Sequence, residues 1–337
     1  MASSSRRARA AAAAPRATAF AGVLLVAILA AEPRAAAQAQ ALGFAVDRLY
    51  PSAPGGGWFV MDALDMRGGL GGAAALSVGY ANHPLRITSS DGARAVPVVS
   101  KQATADFAFA VTCERWRFYL GMTMPLFADG RGASIDGRLF SAPRIDLGTH
   151  PDTLSDPRLG VDVRLVGAAT SAFRAGAGAQ IIAPSGARSE YVTDGSYRAM
   201  GRLLFAGDVG LLAYAGHLGV HVRPLDDSRT PESPRGSEAL FGAAAGARML
   251  VGPTGAAALV VGPEIYGASA LRSLFGPTTT AVEALLSARI EGTADRGPQL
   301  RLKLGTGPGI SQHFGAPEWR TVFAIELFDH RDGRAAK

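Results

Sequence analysis

Apolar and charged side chains alternate with a period of two residues along much of the chain, and this alternation limits the possible folds more than any other feature. Near the end of the chain, for example, Leu300 and Leu302 alternate with Arg301 and Lys303. Successive side chains of a β-strand point to opposite faces, whereas a helix repeats every 3.6 residues. The pattern therefore predicts strands that each have one apolar face and one charged face.

Twelve segments between residues 72 and 328 carry this pattern, and seven of them contain two or more charged residues. In all seven, the charges are an even number of residues apart, which places them on one face of the strand. The predicted strands are 72–81, 103–112, 115–125, 158–167, 173–183, 197–207, 210–222, 238–249, 255–267, 279–291, 298–307 and 319–328.

The connections between the predicted strands alternate in length. Those that follow odd-numbered strands contain 11 to 32 residues, and those that follow even-numbered strands contain 2 to 6. Bacterial outer-membrane barrels alternate long extracellular loops with short periplasmic turns, whereas a soluble β-sandwich has no reason to sort its loops in this way. The strands are also 10 to 13 residues long, and a tilted crossing of a bilayer needs about 9–11 residues.

We therefore predict an all-β chain in which residues 72–328 form a closed antiparallel transmembrane β-barrel of about 12 strands. Its apolar side chains face lipid and its charged side chains face the lumen, the reverse of a soluble sandwich. An even number of strands places both ends of the barrel on the periplasmic side. A short tail follows at residues 329–337.

The first 41 residues have the composition of an export signal. Four arginines precede an apolar run of 13 residues at 19–31, and small-residue cleavage patterns follow, ending at Ala41. We predict a cleaved signal peptide at 1–41; a retained short anchor is the alternative. The segment holds five arginines and one glutamate, so its removal lowers the net charge from +6 to +2. A strong general attraction to nucleic acid is therefore not expected.

Composition excludes helical membrane proteins and disulfide-rich proteins. The mean hydropathy of +0.14 argues against a bundle of membrane helices, and the single cysteine, Cys113, excludes a disulfide framework.

Residues 42–71 lack the two-residue alternation, and residues 58–61 form an unbroken apolar run. This segment is predicted to be a periplasmic lead, an additional strand pairing or a plug inside the lumen.

A few lumen-facing groups raise the question of chemistry. His217 and His221 lie four residues apart on one strand face, where two ligands with a third could hold a metal. The sequence places no third ligand beside them, so we expect structural histidines. Ser287 also faces inward, whereas a lipid hydrolase built on a barrel needs its nucleophile on the outer surface.

Carboxylates in the predicted lumen could form pairs, Glu283 with Glu291 or Asp162 with Glu264, for acid–base chemistry. The inward positions of the strands hold twelve positive and seven negative residues, so we expect carboxylates to pair with arginines instead. We predict no catalytic residue, metal or cofactor, and no enzymatic activity. The predicted lumen-lining residues are Arg117, Asp162, Arg164, Arg198, Arg202, His217, His221, Glu264, Glu283, Arg289, Arg301, Lys303 and Glu326.

Three stretches resemble the barrel modules of OmpA-type outer-membrane proteins of myxobacteria and similar Gram-negative bacteria. They are residues 44–70 (FAVDRLYPSAPGGGWFVMDALDMRGGL), 262–267 (GPEIYG) and 315–320 (GAPEWR). The resemblance covers most of residues 42–328 and implies an outer-membrane barrel without known catalytic residues. OmpA-type proteins usually continue into a peptidoglycan-binding domain, which this sequence lacks, so a role in tethering the cell wall is not expected.

Two functions are compatible with these features. A basic lumen favours porin-like passage of small polar or anionic solutes, and the alternative is a non-conducting structural or surface-presenting barrel of the OmpA type. Barrels of about eight strands are filled and barrels of about 16 are open, so about twelve strands leave the choice open. We expect an outer-membrane location, with outer-membrane lipid, the barrel assembly machinery and small solutes as partners and no nucleic acid.

Overall fold

A computed structural model describes residues 43–89, 91–135, 138–149, 154–225, 236–293, 297–311 and 315–329. The predicted signal peptide and nearly all of the predicted tail lie outside these ranges. Within them, twelve long antiparallel strands form one sheet that closes on itself, which confirms the predicted fold class. None of the helices in these ranges is long and apolar enough to cross a membrane.

Each barrel strand pairs antiparallel with the next one in the chain, and the last strand pairs with the first. The strands are β1 (Leu70–Thr88), β2 (Ala95–Cys113), β3 (Trp116–Asp129), β4 (Arg158–Val166), β5 (Arg174–Ile182), β6 (Arg198–Val209), β7 (Leu212–Val222), β8 (Glu238–Val251), β9 (Ala257–Ala270), β10 (Thr280–Gly292), β11 (Pro298–Ser311) and β12 (Trp319–Asp329). The closing ladder joins Ala73 to Phe328 and Asn82 to Trp319. Closure pairs the first strand with the last, so neither is left as a free edge of the sheet.

The strands β1 and β2 are much longer than the sequence predicts. Their pairing continues past a bulge near Asn82 to the pair Thr88–Ala95, so most of the predicted first loop is a protruding hairpin. At the other end, β3 begins at Trp116, and Arg115 lies in the turn rather than on the predicted strand. The loop after β3 contains three short strands, Ala133–Ile135, Arg138–Phe140 and Ile145–Asp146.

The two ends of the barrel differ in their connections. We call one the short-turn end; its connections are 114–115, 167–173, 210–211, 252–256 and 293–297. We call the other the long-loop end; its connections are 89–94, 130–157, 183–197, 223–237, 271–279 and 312–318. Both ends of the barrel sheet, Leu70 and Asp329, lie at the short-turn end.

The two faces of the wall have opposite chemistry. On β4, for example, Leu159 is 60% exposed on the outer face, whereas Asp162 is completely buried on the inner face. The same division holds around the barrel, with apolar residues outside. The exposed apolar side chains include Leu76, Phe107, Phe109, Phe118, Leu120, Leu159, Leu203, Leu218, Ile265, Leu286, Leu304, Phe323 and Ile325.

Residues 43–69, which we call the inner segment, run through the lumen from one end to the other. At the long-loop end the amide of Val46 donates to the carbonyl of Tyr191 (3.0 Å), and at the short-turn end Gly69 accepts from the amide of Glu114 (2.9 Å). Between these points the apolar run 58–61 is buried against wall residues, including Val260 and Leu285.

A glycine turn lets the inner segment fold back on itself in this narrow space. Gly55 and Gly57 have positive φ angles of 81° and 93°, which glycine adopts without strain. A side chain on Gly56 would meet the carbonyl of Ala53 and the carboxylate of Asp62 within 3 Å. The turn thus requires small residues, and it places Asp62 and the apolar run beside the wall.

Candidate functional site: the barrel lumen

The predicted lumen-lining residues lie on the inner face of the wall. Twelve of the thirteen are buried, and the thirteenth, Arg164, is half-buried with its guanidinium donating to the carbonyl of Leu64 in the inner segment (3.1 Å). Alternation along the strands brings these groups inside, because each lies at an inward position of its strand.

One wall carboxylate holds the inner segment at its centre. Glu264 on β9 accepts hydrogen bonds from the backbone amides of Phe59 (3.0 Å) and Val60 (3.1 Å). On the other side, the ammonium of Lys303 donates to the carbonyl of Trp58 (3.1 Å) and lies 5.0 Å from the ring centre of Phe59. Charged acceptors and donors therefore satisfy backbone groups that would otherwise be unpaired in the lumen.

A second set of contacts fixes the part of the inner segment that follows the apolar run 58–61. Asp62 forms an ion pair with Arg117 on β3, and Asp65 contacts the same guanidinium at 3.1 Å. Arg117 is buried, so these carboxylates supply the countercharge that a buried guanidinium requires. The inner segment is thus part of the ionic balance of the lumen.

Other ion pairs lie entirely within the wall. Arg301 on β11 contacts Glu291 at 2.6 Å and Glu326 at 2.7 Å, and Lys303 contacts Glu326 at 2.6 Å. Arg320 similarly contacts Glu283 at 2.8 Å. Neighbouring strands place opposite charges across the ladder, so the wall satisfies much of its own charge.

The structure keeps apart the carboxylates that the sequence pairs as acid–base candidates. Glu283 and Glu291 are eight residues apart on β10, about 26 Å along a strand that rises about 3.3 Å per residue, and each contacts a separate arginine. Asp162 faces Arg202 at 3.6 Å, whereas Glu264 contacts the inner segment. None of these carboxylates forms an acid–base pair with another.

The long-loop end contains a dense ionic network. Arg223 directs all three guanidinium nitrogens to acceptors, including Asp194 at 2.7 Å and Glu238 at 2.6 Å. Glu238 also contacts Arg48 of the inner segment at 2.9 Å. Burial alone would raise the pKa of Asp194, but the charges and hydrogen bonds of Arg223, with the charge of Arg198, hold it well below its usual value.

The histidines and the serine that the sequence raises as candidates for chemistry lie inside the barrel, among other side chains and backbone groups. Nδ1 of His221 lies 3.2 Å from the hydroxyl of Tyr50 and 3.4 Å from Glu238, and His217 is buried nearby. Among the described residues, no group of three His, Cys, Asp or Glu side chains is arranged to hold a metal ion. The hydroxyl of Ser287 donates to the carbonyl of Gly262 (3.1 Å), inside the barrel.

A large cavity opens beside the inner segment at the short-turn end. It has a volume of about 400 Å³, and we call it the mouth cavity. A smaller cavity of about 70 Å³ lies on the other side of the inner segment, toward the long-loop end. The charged residues that line the mouth cavity are Asp65, Arg67, Arg174, Asp208, Arg248, Arg289, Glu291 and Arg301.

Several functional residues were not predicted from the sequence. Arg48, Asp62 and Asp65 belong to the inner segment, and Asp194 and Arg223 belong to connections at the long-loop end. A signal was present in the inner segment, because acidic and basic residues flank its unbroken apolar run on both sides. The loop residues carry no local signal, since their partners are distant in sequence.

No protein-family model and no curated protein sequence matches the chain. Among solved structures, an outer-membrane channel from Pseudomonas putida F1 is similar at 11% identity and a TM-score of 0.48, over 77% of this chain and 95% of that one. The NanC porin is similar at 7% identity and a TM-score of 0.44, over 77% of this chain and 99% of that one. A bacterial polysaccharide outer-membrane secretin is similar at 9% identity and a TM-score of 0.39, over 77% of this chain and 98% of that one.

Proposed function

We propose that this chain is an outer-membrane β-barrel whose lumen is closed by its own inner segment, and that small polar or anionic solutes pass when the segment is displaced. The observation that carries this proposal is the combination of an apolar outer face with a charged lumen that the inner segment occupies. The outer face suits lipid, and the charged wall can line an aqueous path once the segment is displaced.

The outer face supports the bilayer location. An exposed apolar belt around a whole barrel far exceeds the patches that soluble monomers expose. The strands β4 and β5 contain nine residues each. Nine residues span about 30 Å, and a tilt of about 40° leaves about 23 Å across the bilayer, close to the apolar band of about 25 Å in outer-membrane barrels.

The topology supports an orientation and an assembly route. Short turns face the periplasm in bacterial outer-membrane barrels, so we place the short-turn end there. The last strand, β12, carries Phe323, Ile325 and Leu327 on its outer face. Phe328, the residue before its last, is buried on the inner face. A terminal strand of this kind suits insertion by the barrel assembly machinery, which we propose as a partner together with outer-membrane lipid.

The wall's own ion pairs support passage through the lumen. The contacts of Arg301 and Lys303 with Glu326 join one wall strand to another and do not involve the inner segment. They remain possible when the segment is absent, and water can then solvate the rest of the wall. Such a wall can line an aqueous path, and its excess of arginines favours anions.

The packing of the inner segment favours a second candidate, a non-conducting structural barrel. Trp58, Phe59 and Met61 are buried against the wall. Each such side chain contributes about 1.5–3 kcal/mol of burial free energy, so displacement of the segment is costly. In this candidate the inner segment is a permanent core.

The bilayer location is tested by one outward substitution and a matched control. Leu159→Arg places a charge in the apolar belt and should lower the free energy of unfolding in liposomes by about 2–4 kcal/mol. Leu139→Arg changes a leucine of similar exposure, 65% against 60%, in a long loop and should have almost no effect. Equal effects of both changes would contradict a bilayer around the barrel.

Passage is tested in planar bilayers. Glu264→Gln removes the charged acceptor of two inner-segment amides and should increase the frequency of conductance steps, with a preference for anions. Asp106→Asn alters a buried carboxylate whose partners among the described residues, Arg158 and Thr123, both belong to wall strands, and it should leave that frequency near the wild-type value. Silence of all three proteins in several salts would favour the non-conducting barrel.

A further inference from the structure

The mouth cavity contains more positive than negative charge. Five arginines and three carboxylates line it. Two of the arginines already have close countercharges, since Arg301 contacts Glu291 at 2.6 Å and Arg174 contacts Asp208 at 2.7 Å. The three remaining arginines, Arg67, Arg248 and Arg289, then share what is left of the negative charge.

Arg289 is buried and has unused donors. Its side chain is 8% exposed, and its Nε and Nη1 atoms have no hydrogen-bond partner among the described residues. The nearest carboxylate, Glu291, lies 3.6 Å from Nε, and the ring of Trp58 lies 4.5 Å from the guanidinium carbon. The aromatic face holds the plane of the guanidinium, but it cannot accept the in-plane hydrogen bonds.

Two further arginines add available donors to the same cavity. Arg67 of the inner segment is half-buried and makes no ion pair or hydrogen bond within the described part of the chain. Arg248 approaches Asp208 and Glu291 only at 3.9 and 3.8 Å, which is too long for a hydrogen bond. Three guanidinium groups with unused donors thus surround one space.

We propose that the mouth cavity binds a small soluble oxyanion with two or more negative charges, a polycarboxylate or a phosphate compound. The planar fork of arginine matches the geometry of carboxylate and phosphate oxygens. A buried donor without an acceptor is costly, and an oxyanion on Arg289 removes that cost. The volume of about 400 Å³ lies within the usual range for small-molecule sites, about 300–1,000 Å³.

Binding in the mouth cavity does not require passage through the lumen, because the cavity exists while the inner segment is in place. A non-conducting barrel with a bound oxyanion is therefore a consistent outcome. Conversely, a conducting barrel without saturable oxyanion binding contradicts the site and leaves the proposed function intact.

The experiment is isothermal titration of the full-length mature barrel in a neutral detergent at low salt, with citrate and inorganic phosphate as probes. Arg289→Gln should weaken citrate binding about tenfold or more, because it removes charge-assisted hydrogen bonds. Arg67→Gln should weaken it about threefold to tenfold. Arg67 has no hydrogen bond or ion pair to lose among the described residues, so that variant reports on the site even when Arg289→Gln impairs folding.

A matched control removes the same charge at the same end of the barrel. Arg115 is exposed in the turn 114–115, outside the cavity, and Arg115→Gln should change citrate affinity less than about twofold at moderate salt. If Arg67→Gln and Arg115→Gln weaken citrate binding equally, the effect comes from the general surface charge, and the proposed site is wrong.

A second arm distinguishes a soluble oxyanion from a lipid headgroup. Dihexanoyl phosphatidylglycerol carries a single phosphate charge on a lipid and should bind more weakly than citrate. Tighter binding of this lipid than of both soluble probes would overturn the proposal in favour of a headgroup site. Absence of saturable binding by any probe would overturn it entirely.

Discussion

The two ends of the lumen use the same residue type in opposite ways. At the long-loop end, Arg223 is buried and all three of its guanidinium nitrogens have acceptors. At the short-turn end, Arg289 is also buried, and two of its nitrogens have no acceptor among the described residues. One end is a closed ionic core, and the other is a cavity with donors that are free to bind.

The difference follows from the length of the connections. Long loops can fold inward and bring carboxylates over the barrel, as Asp156 and Asp194 do for Arg198 and Arg223. The described residues of the short turns line the mouth cavity with uncharged groups, and the strands and the inner segment supply the carboxylates there. Arg289, which has two buried nitrogens without a partner among the described residues, lies where the connections are short.

The largest expected effect comes from removing the central arginine of the closed end. Arg223→Met leaves Asp194 and Glu238 as buried carboxylates without their main partner, and it should lower the free energy of unfolding by about 3–5 kcal/mol. Arg248→Met at the open end removes a half-exposed side chain with long contacts and should cost less than about 1 kcal/mol. Urea unfolding in liposomes measures both. Similar losses would erase the contrast between the two ends.

A pH-dependent effect of moderate size should separate the ends further. The pKa of Asp194 is lowered in the folded barrel, so its contribution is fully present above the unfolded value of about 3.9 and is lost as the pH falls through the folded value. The difference in stability between the wild type and Asp194→Asn should thus be constant from pH 5 to 8 and should shrink only below about pH 4.

The same series includes a smaller reference effect. Asp208→Asn neutralises a one-third-exposed carboxylate whose partner, Arg174, is buried. The asparagine keeps a hydrogen-bond acceptor for that guanidinium, so the change should lower the free energy of unfolding at neutral pH by about 1–3 kcal/mol, less than Arg223→Met does. A difference between the wild type and Asp194→Asn that disappears already at pH 6 would show that Arg223 does not hold the Asp194 carboxylate in its ionised form.

Much of the wall could be predicted from the sequence, because the alternation of faces is a local property of each strand. The hairpin extension of β1 and β2 was missed, since Pro84 and Pro97 interrupt the pattern and proline cannot donate to a ladder. The extension accommodates the irregularity with shifts of register near Asn82 and Leu85.

The interior of the lumen could be predicted only in part. Alternation predicts which wall residues face inward, but it cannot predict their partners. The contact of Glu264 with Phe59 joins residues 205 positions apart, and that of Arg223 with Asp194 joins two different connections of the barrel. The sequence left residues 42–71 open among three interpretations, and only the three-dimensional packing places the inner segment within the barrel.

Closure of the lumen by the inner segment can be tested with a reversible lock between that segment and the wall. A Cβ atom on Gly55 would lie 3.6 Å from that of Ala73 on β1, within the range of about 3.5–4.5 Å for a disulfide. In a Cys113→Ser background, the Gly55→Cys and Ala73→Cys pair should form this bond in the folded barrel. The strain of a side chain at the positive φ of Gly55 is present in both redox states and cancels in the comparison.

Single-channel recording of this one protein before and after reduction then gives the answer. We expect no conductance steps while the disulfide is intact and anion-preferring steps after reduction. Identical steps in both states, with the disulfide verified by mass spectrometry, would contradict the claim that the inner segment closes the lumen.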